Sequence, residues 1–264
     1  MSTRPRDGDT LITESRTVTG FSKIRLYGVG YVRVQQSGTE SVEVRAPRGV
    51  MSRVETTVRE GTLRLGLKRS GFLFFGFRRI PRIEFTVQAK EVQGLAVSGA
   101  GRLESGPLRA ENLELAISGV GKIETQSIDT EALRIAVGGC GQVTSRDVDA
   151  GTASISGSGA AKVALDKLAV DELKLLISGS GKVQACGHAE SVEGTISGAG
   201  SLRLDDLETS RFRARISGIG SIRAWVRDKL DATISGSGSV LYRGDPQVSS
   251  KTSGSGKVRK LNHA

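Results

Sequence analysis

Apolar and polar residues alternate with a period of two along most of this chain. Leu113, Leu115 and Ile117 form one such run; Leu133, Ile135 and Val137 a second; Phe212, Ala214 and Ile216 a third. That period belongs to β-strands with one face buried and one face wet. Each run ends in a tetrad of small residues, and the tetrad recurs nine times, starting at Ser98, Ser118, Gly138, Ser156, Ser178, Ser197, Ser217, Ser235 and Ser253. The starts are almost evenly spaced, least so around Ser156, which follows Gly138 by a short step and precedes Ser178 by a long one. After each tetrad another apolar position follows, such as Ile123 or Val143.

A fixed period with small residues at one point is the mark of a repeat architecture. Each repeat reads as strand, Ser-Gly-x-Gly corner, strand and loop, with the glycines placed where a Cβ would clash or where φ turns positive. Coils of this kind stack at the inter-strand spacing of about 4.8 Å. No coil buries its apolar side alone, so the stack itself is the core. The expected fold is an all-β, single-stranded β-solenoid of about nine to ten coils.

The tetrads also suggest chemistry. Gly179-Ser180-Gly181-Lys182 looks like a phosphate loop, but Leu176 stands where the first glycine of that motif belongs and Val183 where its hydroxyl belongs. A nucleotide is therefore not expected. The calcium β-roll needs an aspartate two residues after the last glycine of each turn. Here that position holds Leu103, Ile123, Val143, Ala161, Val183 and further apolar residues, so no metal is expected at the corners.

Charge divides the chain. Residues 1–90 hold 17 Lys+Arg against 8 Asp+Glu (net +9), and residues 91–264 hold 21 against 20 (net +1). In the basic third, Tyr27-Gly28-Val29-Gly30 is a degenerate corner, and the next corner begins only at Ser98. Between them lie strand-like runs over 42–44, 54–58, 63–67 and 83–87, with Glu60-Gly61 as a hairpin turn. The organisation expected is a polar segment over 1–20, then a founding coil with a basic β-rich head spliced into it over 21–90. The solenoid proper follows over 91–258, and a basic tail over 259–264.

One stretch in the head differs from its surroundings. Phe72, Phe74, Phe75 and Phe77 are bracketed by Lys68, Arg69, Arg78, Arg79 and Arg82. Two roles stay open. The aromatics cap the apolar end of the solenoid, or they form a contact surface for self-association or for an anionic membrane surface or polyanion. No nucleic-acid-binding motif accompanies the charge, and nucleic acid is not an expected partner.

The run TESRTVTGFSKIRLYGVGYVRVQQSGTESVEVRAP, followed by GTLRLGL and serial ISGSG corners, resembles the bacterial family called putative auto-transporter adhesin, head GIN domain. The resemblance extends from about Thr13 to Val258. It implies a right-handed β-helix, an adhesin-like role in the cell envelope or outside the cell, and no catalytic residues to carry over. The opening segment, Met1 to Gly20, contains no signal-peptide apolar core. If this chain is the full gene product, the expectation becomes cytoplasmic. No apolar run of the length needed to cross a membrane as a helix is present.

Enzymatic readings start from carboxylates. Glu104 and Glu124, three residues past successive corners, and Asp129 and Asp149, eight past, are each expected to lie about one coil spacing apart, within range of a retaining glycosidase pair. Arg102 and Lys122 share the wet face of the Glu pair and point instead to ion pairing. His188 and His263 have no partner by spacing, and Cys140 and Cys186 are expected to be buried small residues about two coils apart. The chain reads as a non-enzymatic binding module without cofactors. A self-assembling scaffold is the alternative, and a saccharide-acting enzyme the distant one.

Overall fold

The computed structural model describes residues 10–68 and 82–261. From the N terminus run β1 (Leu11–Arg16), β2 (Lys23–Gly28), β3 (Tyr31–Gln36), β4 (Ser41–Pro47), the single-turn helix α1 (Arg48–Met51) and β5 (Val54–Arg59). Then come β6 (Thr62–Leu67), β7 (Glu84–Ala89), β8 (Gly94–Gly99) and β9 (Arg102–Ser105). The degenerate corner at Tyr27 joins β2 to β3, and this founding coil lies directly under the coil of β8 and β9. Ile24 pairs with Leu95, Tyr27 with Ser98 and Tyr31 with Arg102, all in parallel. The long separation in sequence is therefore closed in space.

The inserted residues build the end of the stack. β6 and β7 pair in parallel with β2 and β3 on the side away from β8 and β9, as one more coil interrupted between its two strands. β5 then runs antiparallel to β6, β4 antiparallel to β7, and β1 antiparallel to β4. These strands, with Val50 and Met51 of α1 buried beneath them, cover the edge that a solenoid otherwise leaves open to pairing. Glu60 (φ 49°) and Gly61 (φ 69°) form the expected two-residue hairpin between β5 and β6.

Beyond the founding coils come β10 (Leu108–Gly119), β11 (Lys122–Gly139), β12 (Gln142–Gly159), β13 (Lys162–Gly179), β14 (Lys182–Gly198), β15 (Ser201–Gly218) and β16 (Ser221–Gly236). The stack ends in β17 (Ser239–Arg243), β18 (Gln247–Ser253) and β19 (Lys257–Lys260). About eight turns are formed, slightly fewer than the nine to ten expected. The difference is geometric: a corner is not a turn, and the last corner is followed only by the four residues of β19.

Each turn has three straight runs rather than two. In β11 the buried positions are Ile123 and Thr125, then Ile128 and Thr130, then Leu133, Ile135 and Val137. The alternation slips by one residue at 126–127 and again at 131–132, because a bend turns two consecutive side chains outward. The runs 122–126, 127–131 and 132–138, with their equivalents in other coils, are here called the first, second and third faces. At the bends small buried hydroxyls replace apolar groups: Thr125 Oγ1 donates to Ser145 Oγ (2.8 Å), and Thr130 Oγ1 donates to the Glu111 carbonyl (3.0 Å).

The corner explains its own composition. Gly119 sits at φ +122°, and a Cβ there would lie 2.7 Å from the Gly99 carbonyl oxygen of the coil below. A Cβ on Gly141 would lie 2.5 Å from Ile117 Cγ2. Between the glycines the x residue donates its amide to the coil below, as Val120 N–H does to Gly99 O (2.9 Å), while its side chain faces solvent. One corner sits two residues later than its letters suggest. Ser158 pairs with Gly138 and Ser178, whereas Ser156 pairs with Ala136 and Leu176. The corner is Ser158-Gly159-Ala160-Ala161, and the short and long steps on either side of it become equal.

Candidate binding surfaces

Register-matched stacking turns every outward position into a ladder. On the third face one ladder runs Glu114, Arg134, Ser154, Lys174, Glu193, each pairing with the next. Beside it runs Asn112, Ala132, Thr152, Glu172, Ser191. Short side chains lie between long ones, leaving an open groove of about 1180 Å³ that crosses these coils. Both charge signs line it, together with amides and hydroxyls.

At one end this groove is lined by Gln36 of the founding coil and by Glu91 and Gln93 of the loop before β8. Gln36 is fixed by its neighbour's backbone: its Nε2 donates to Arg109 O and its Oε1 accepts from Arg109 N–H, both at 2.9 Å. The Gln93 carbonyl accepts from Glu114 N–H at 3.0 Å. The groove is thus a joint product of the founding coil and the coils that follow it.

The first face carries a charge network near the founding coil. Arg102 bridges Glu104 (2.6 Å) and Glu124 (2.5 Å), and Lys122 Nζ reaches Glu124 at 2.7 Å. Partial burial pushes the Glu124 carboxyl up, but the hydrogen bonds from Lys122 and Arg102 outweigh it and hold the group below its ordinary range. The Tyr31 hydroxyl donates to Glu104 and accepts from Arg33 Nε at 3.0 Å. Burial first, and then the bond to Glu104, raise the Tyr31 phenol.

Both carboxylate pairs do lie on adjacent coils, Glu104 beside Glu124 and Asp129 beside Asp149. The Glu pair is tied up by its cations, and Asp129 is held by Arg109 (2.8 Å). Among the described residues no three His, Cys, Asp or Glu side chains gather as metal ligands. Cys140 is exposed and Cys186 half-buried, so burial was the wrong expectation for both. Cys140 occupies the x position of a corner, which points outward. Burial, followed by Asp206, Asp166 and Asp205, raises the Cys186 thiol.

Of the cap-or-contact residues in the head, Lys68 and Arg82 are exposed, with Lys68 N–H bonded to Arg53 O (2.9 Å) and Arg82 paired with Glu84 (2.6 Å). Arg69, Phe72, Phe74, Phe75, Phe77, Arg78 and Arg79 lie outside the described residues, as does His263.

Coils in register, corners of two glycines and ladders on every face define an all-β solenoid repeat protein. The chain belongs to the family described as "putative auto-transporter adhesin, head GIN domain", whose model matches residues 20–186 and 134–246. Its solved structural relatives include a "putative adhesin" from Parabacteroides merdae, with 22% identity, a TM-score of 0.72 and 96% of each chain covered. Another "putative adhesin", from Parabacteroides distasonis, has 21% identity and a TM-score of 0.75 over 96% of this chain and 98% of that one. A "putative lipid binding protein" from Parabacteroides distasonis has 22% identity and a TM-score of 0.72 over 96% and 97%. At these identities the likeness is one of fold. No curated protein matches the chain. No helix among the described residues is long and apolar enough to cross a membrane.

Proposed function

We propose that this protein is a non-enzymatic, adhesin-like surface-binding module that holds an extended polypeptide segment of a partner in the third-face groove. The observation that carries this reading is the ladder Glu114, Arg134, Ser154, Lys174, Glu193, which offers both charge signs and hydroxyls along a straight trough. A polypeptide presents the complementary set, with charges of both signs and backbone amides at regular intervals. Lipid, the ligand class in one relative's name, suits this groove less, because every position of its two ladders except Ala132 is charged or polar. Family membership and the solenoid fold support a surface module rather than a catalyst.

The test is binding of the full chain to immobilised gelatin and unfolded casein, with Thr152→Arg and Ser154→Arg introduced together. Both positions are exposed on the groove floor. Binding by the wild type and its loss in the variant, at an unchanged melting temperature, is the expected result. Equal binding by both proteins would remove the groove as the site.

A further inference from the structure

The first face changes character part-way along the solenoid. In the early coils each outward cation just past the corner has a carboxylate two residues on, Arg102 with Glu104 and Lys122 with Glu124. From β13 onward that partner disappears. Ala164 follows Lys162, Gln184 follows Lys182, and the remaining outward pairs are Ser201/Arg203, Ser221/Arg223, Ser239/Leu241 and Lys257/Arg259. Six cations thus occupy these two ladders from β13 to β19, and no acid does. The nearest acids of the same coils, Asp166 and Asp205, stand one outward step further on, at the bend. Among the described residues only Arg223 of the six has a carboxylate of this face at ion-pair distance, Asp205 at 3.7 Å.

Like charges are also stacked directly on one another. Lys162 pairs in register with Lys182, and Arg203 with Arg223. Like charges opposite each other across adjacent strands destabilise a sheet. The fold gains nothing from this arrangement, and the earlier coils of the same face offset it with Glu104 and Glu124. The near-neutral solenoid total hides the segregation: residues 91–200 hold 9 Lys+Arg against 14 Asp+Glu (net −5), and residues 201–264 hold 12 against 6 (net +6).

We propose that this stretch of the first face binds an acidic polysaccharide, a linear chain bearing carboxylate or sulfate groups on successive sugars, laid along the solenoid axis. From β13 to β16 each coil offers one cation, Lys162 and Lys182 on the first ladder and Arg203 and Arg223 on the adjacent one, and β19 offers two, so the charges follow the axis in steps of the coil repeat of about 4.8 Å, which suits an extended chain rather than a wound duplex. Guanidinium forks at Arg203, Arg223 and Arg259 take an oxyanion through two parallel hydrogen bonds. Ser201, Ser221, Ser239 and Gln184 offer hydrogen bonds between the charges. From β13 to β19 no aromatic stands on these two ladders to stack a nucleobase, and Trp225, at the bend, is half-buried with its ring under Arg243 at 4.2 Å. Leu241 is the single large apolar side chain of the ladders, too little to anchor in a bilayer. This surface is separate from the third-face groove and does not depend on it.

The experiment measures binding of the full chain to immobilised heparin and polygalacturonate, with neutral dextran beside them. The variant replaces Lys162, Lys182 and Arg203 by Gln; Lys182→Gln alone serves if the triple variant folds poorly. A control variant, Arg134→Gln with Lys174→Gln, removes cations from the third face. The expected result is binding to at least one acidic polymer and not to dextran, weakened at least about tenfold in the triple variant and unchanged in the control. Retention on heparin alone assigns sulfate, and on polygalacturonate alone carboxylate. Binding should also fade as salt shortens the screening length from about 10 Å at 0.1 M to about 3 Å at 1 M. The melting temperature of the variant should hold or rise, because repulsion has been removed. The proposal is overturned by a wild type that binds neither acidic polymer, by equal binding to dextran, or by a triple variant that binds as well as the wild type. Tighter binding to single-stranded DNA or to anionic vesicles would overturn it too.

Discussion

Gly157 and Ala161 are matched to each other: a Cβ on Gly157 would lie 3.1 Å from the methyl carbon of Ala161. In neighbouring coils the position of Gly157 carries Val137 or Ile177, and the position of Ala161 is Gly141 or Gly181. In this coil the bulk has moved from the core strand to the corner, and the cavity is filled from the other side.

The match predicts coupling. Gly157→Val alone should overpack the coil and cost about 1–3 kcal/mol, and Ala161→Gly alone should loosen it. Together they recreate the arrangement of the adjacent coils, so a double-mutant cycle by urea unfolding should return a coupling of about 0.5–3 kcal/mol. Strict additivity would mean that the two sites do not share one space.

The corner glycines should be far less replaceable than the serines before them. Gly179 has φ +110°, and a Cβ there would lie 2.8 Å from Gly159 O. Gly179→Ala should cost at least about 2 kcal/mol, from backbone strain with a steric clash added. Ser178 is exposed, and Ser178→Ala should stay within about 0.5 kcal/mol. Similar losses for the two variants would contradict the corner geometry.

Glu124 supplies a pH-dependent term with a definite sign. Its pKa is lower in the folded protein than its ordinary value. The stability it contributes is therefore present above the unfolded pKa and lost as pH falls through the folded one. Glu124→Gln should change stability at pH 7 by no more than about 0.5 kcal/mol, as an ordinary surface site, and should flatten the acid limb of the stability curve. A steeper acid limb in the variant would reverse the assignment.

The two thiols should separate by reactivity. Cys140 stands exposed at a corner, while Cys186 is half-buried with its thiol raised by burial and neighbouring aspartates. A maleimide pulse on the native protein should label Cys140 first. Faster labelling of Cys186 would show that its coil opens.

What the sequence disclosed, and what it concealed, follows from which information is local. Corner glycines and alternating strands are local, so the founding coil at Tyr27 and the hairpin at Glu60-Gly61 were readable. The corner at Ser158 was misplaced because Ser156-Gly157-Ser158-Gly159 has the right letters two residues early, and only pairing with Ser178 fixes its phase. The second face was hidden by the one-residue slips at 126–127 and 131–132, where two outward residues in a row look like a loop. The groove and the cation track join side chains that sit a full coil apart in sequence, and they appear only once the register between coils is known. Charge counted over residues 91–264 as one block averaged that track away.

The claim that the third face is a binding surface is tested most directly by carboxyl footprinting of the protein with and without bound gelatin or casein. Glu114 and Glu172 lie in the groove, whereas Asp149 is exposed on the second face and serves as an internal reference. Bound polypeptide should slow carbodiimide labelling of Glu114 and Glu172 while Asp149 reacts at its free rate. Unchanged labelling in the groove, or protection of Asp149 in its place, would contradict the account.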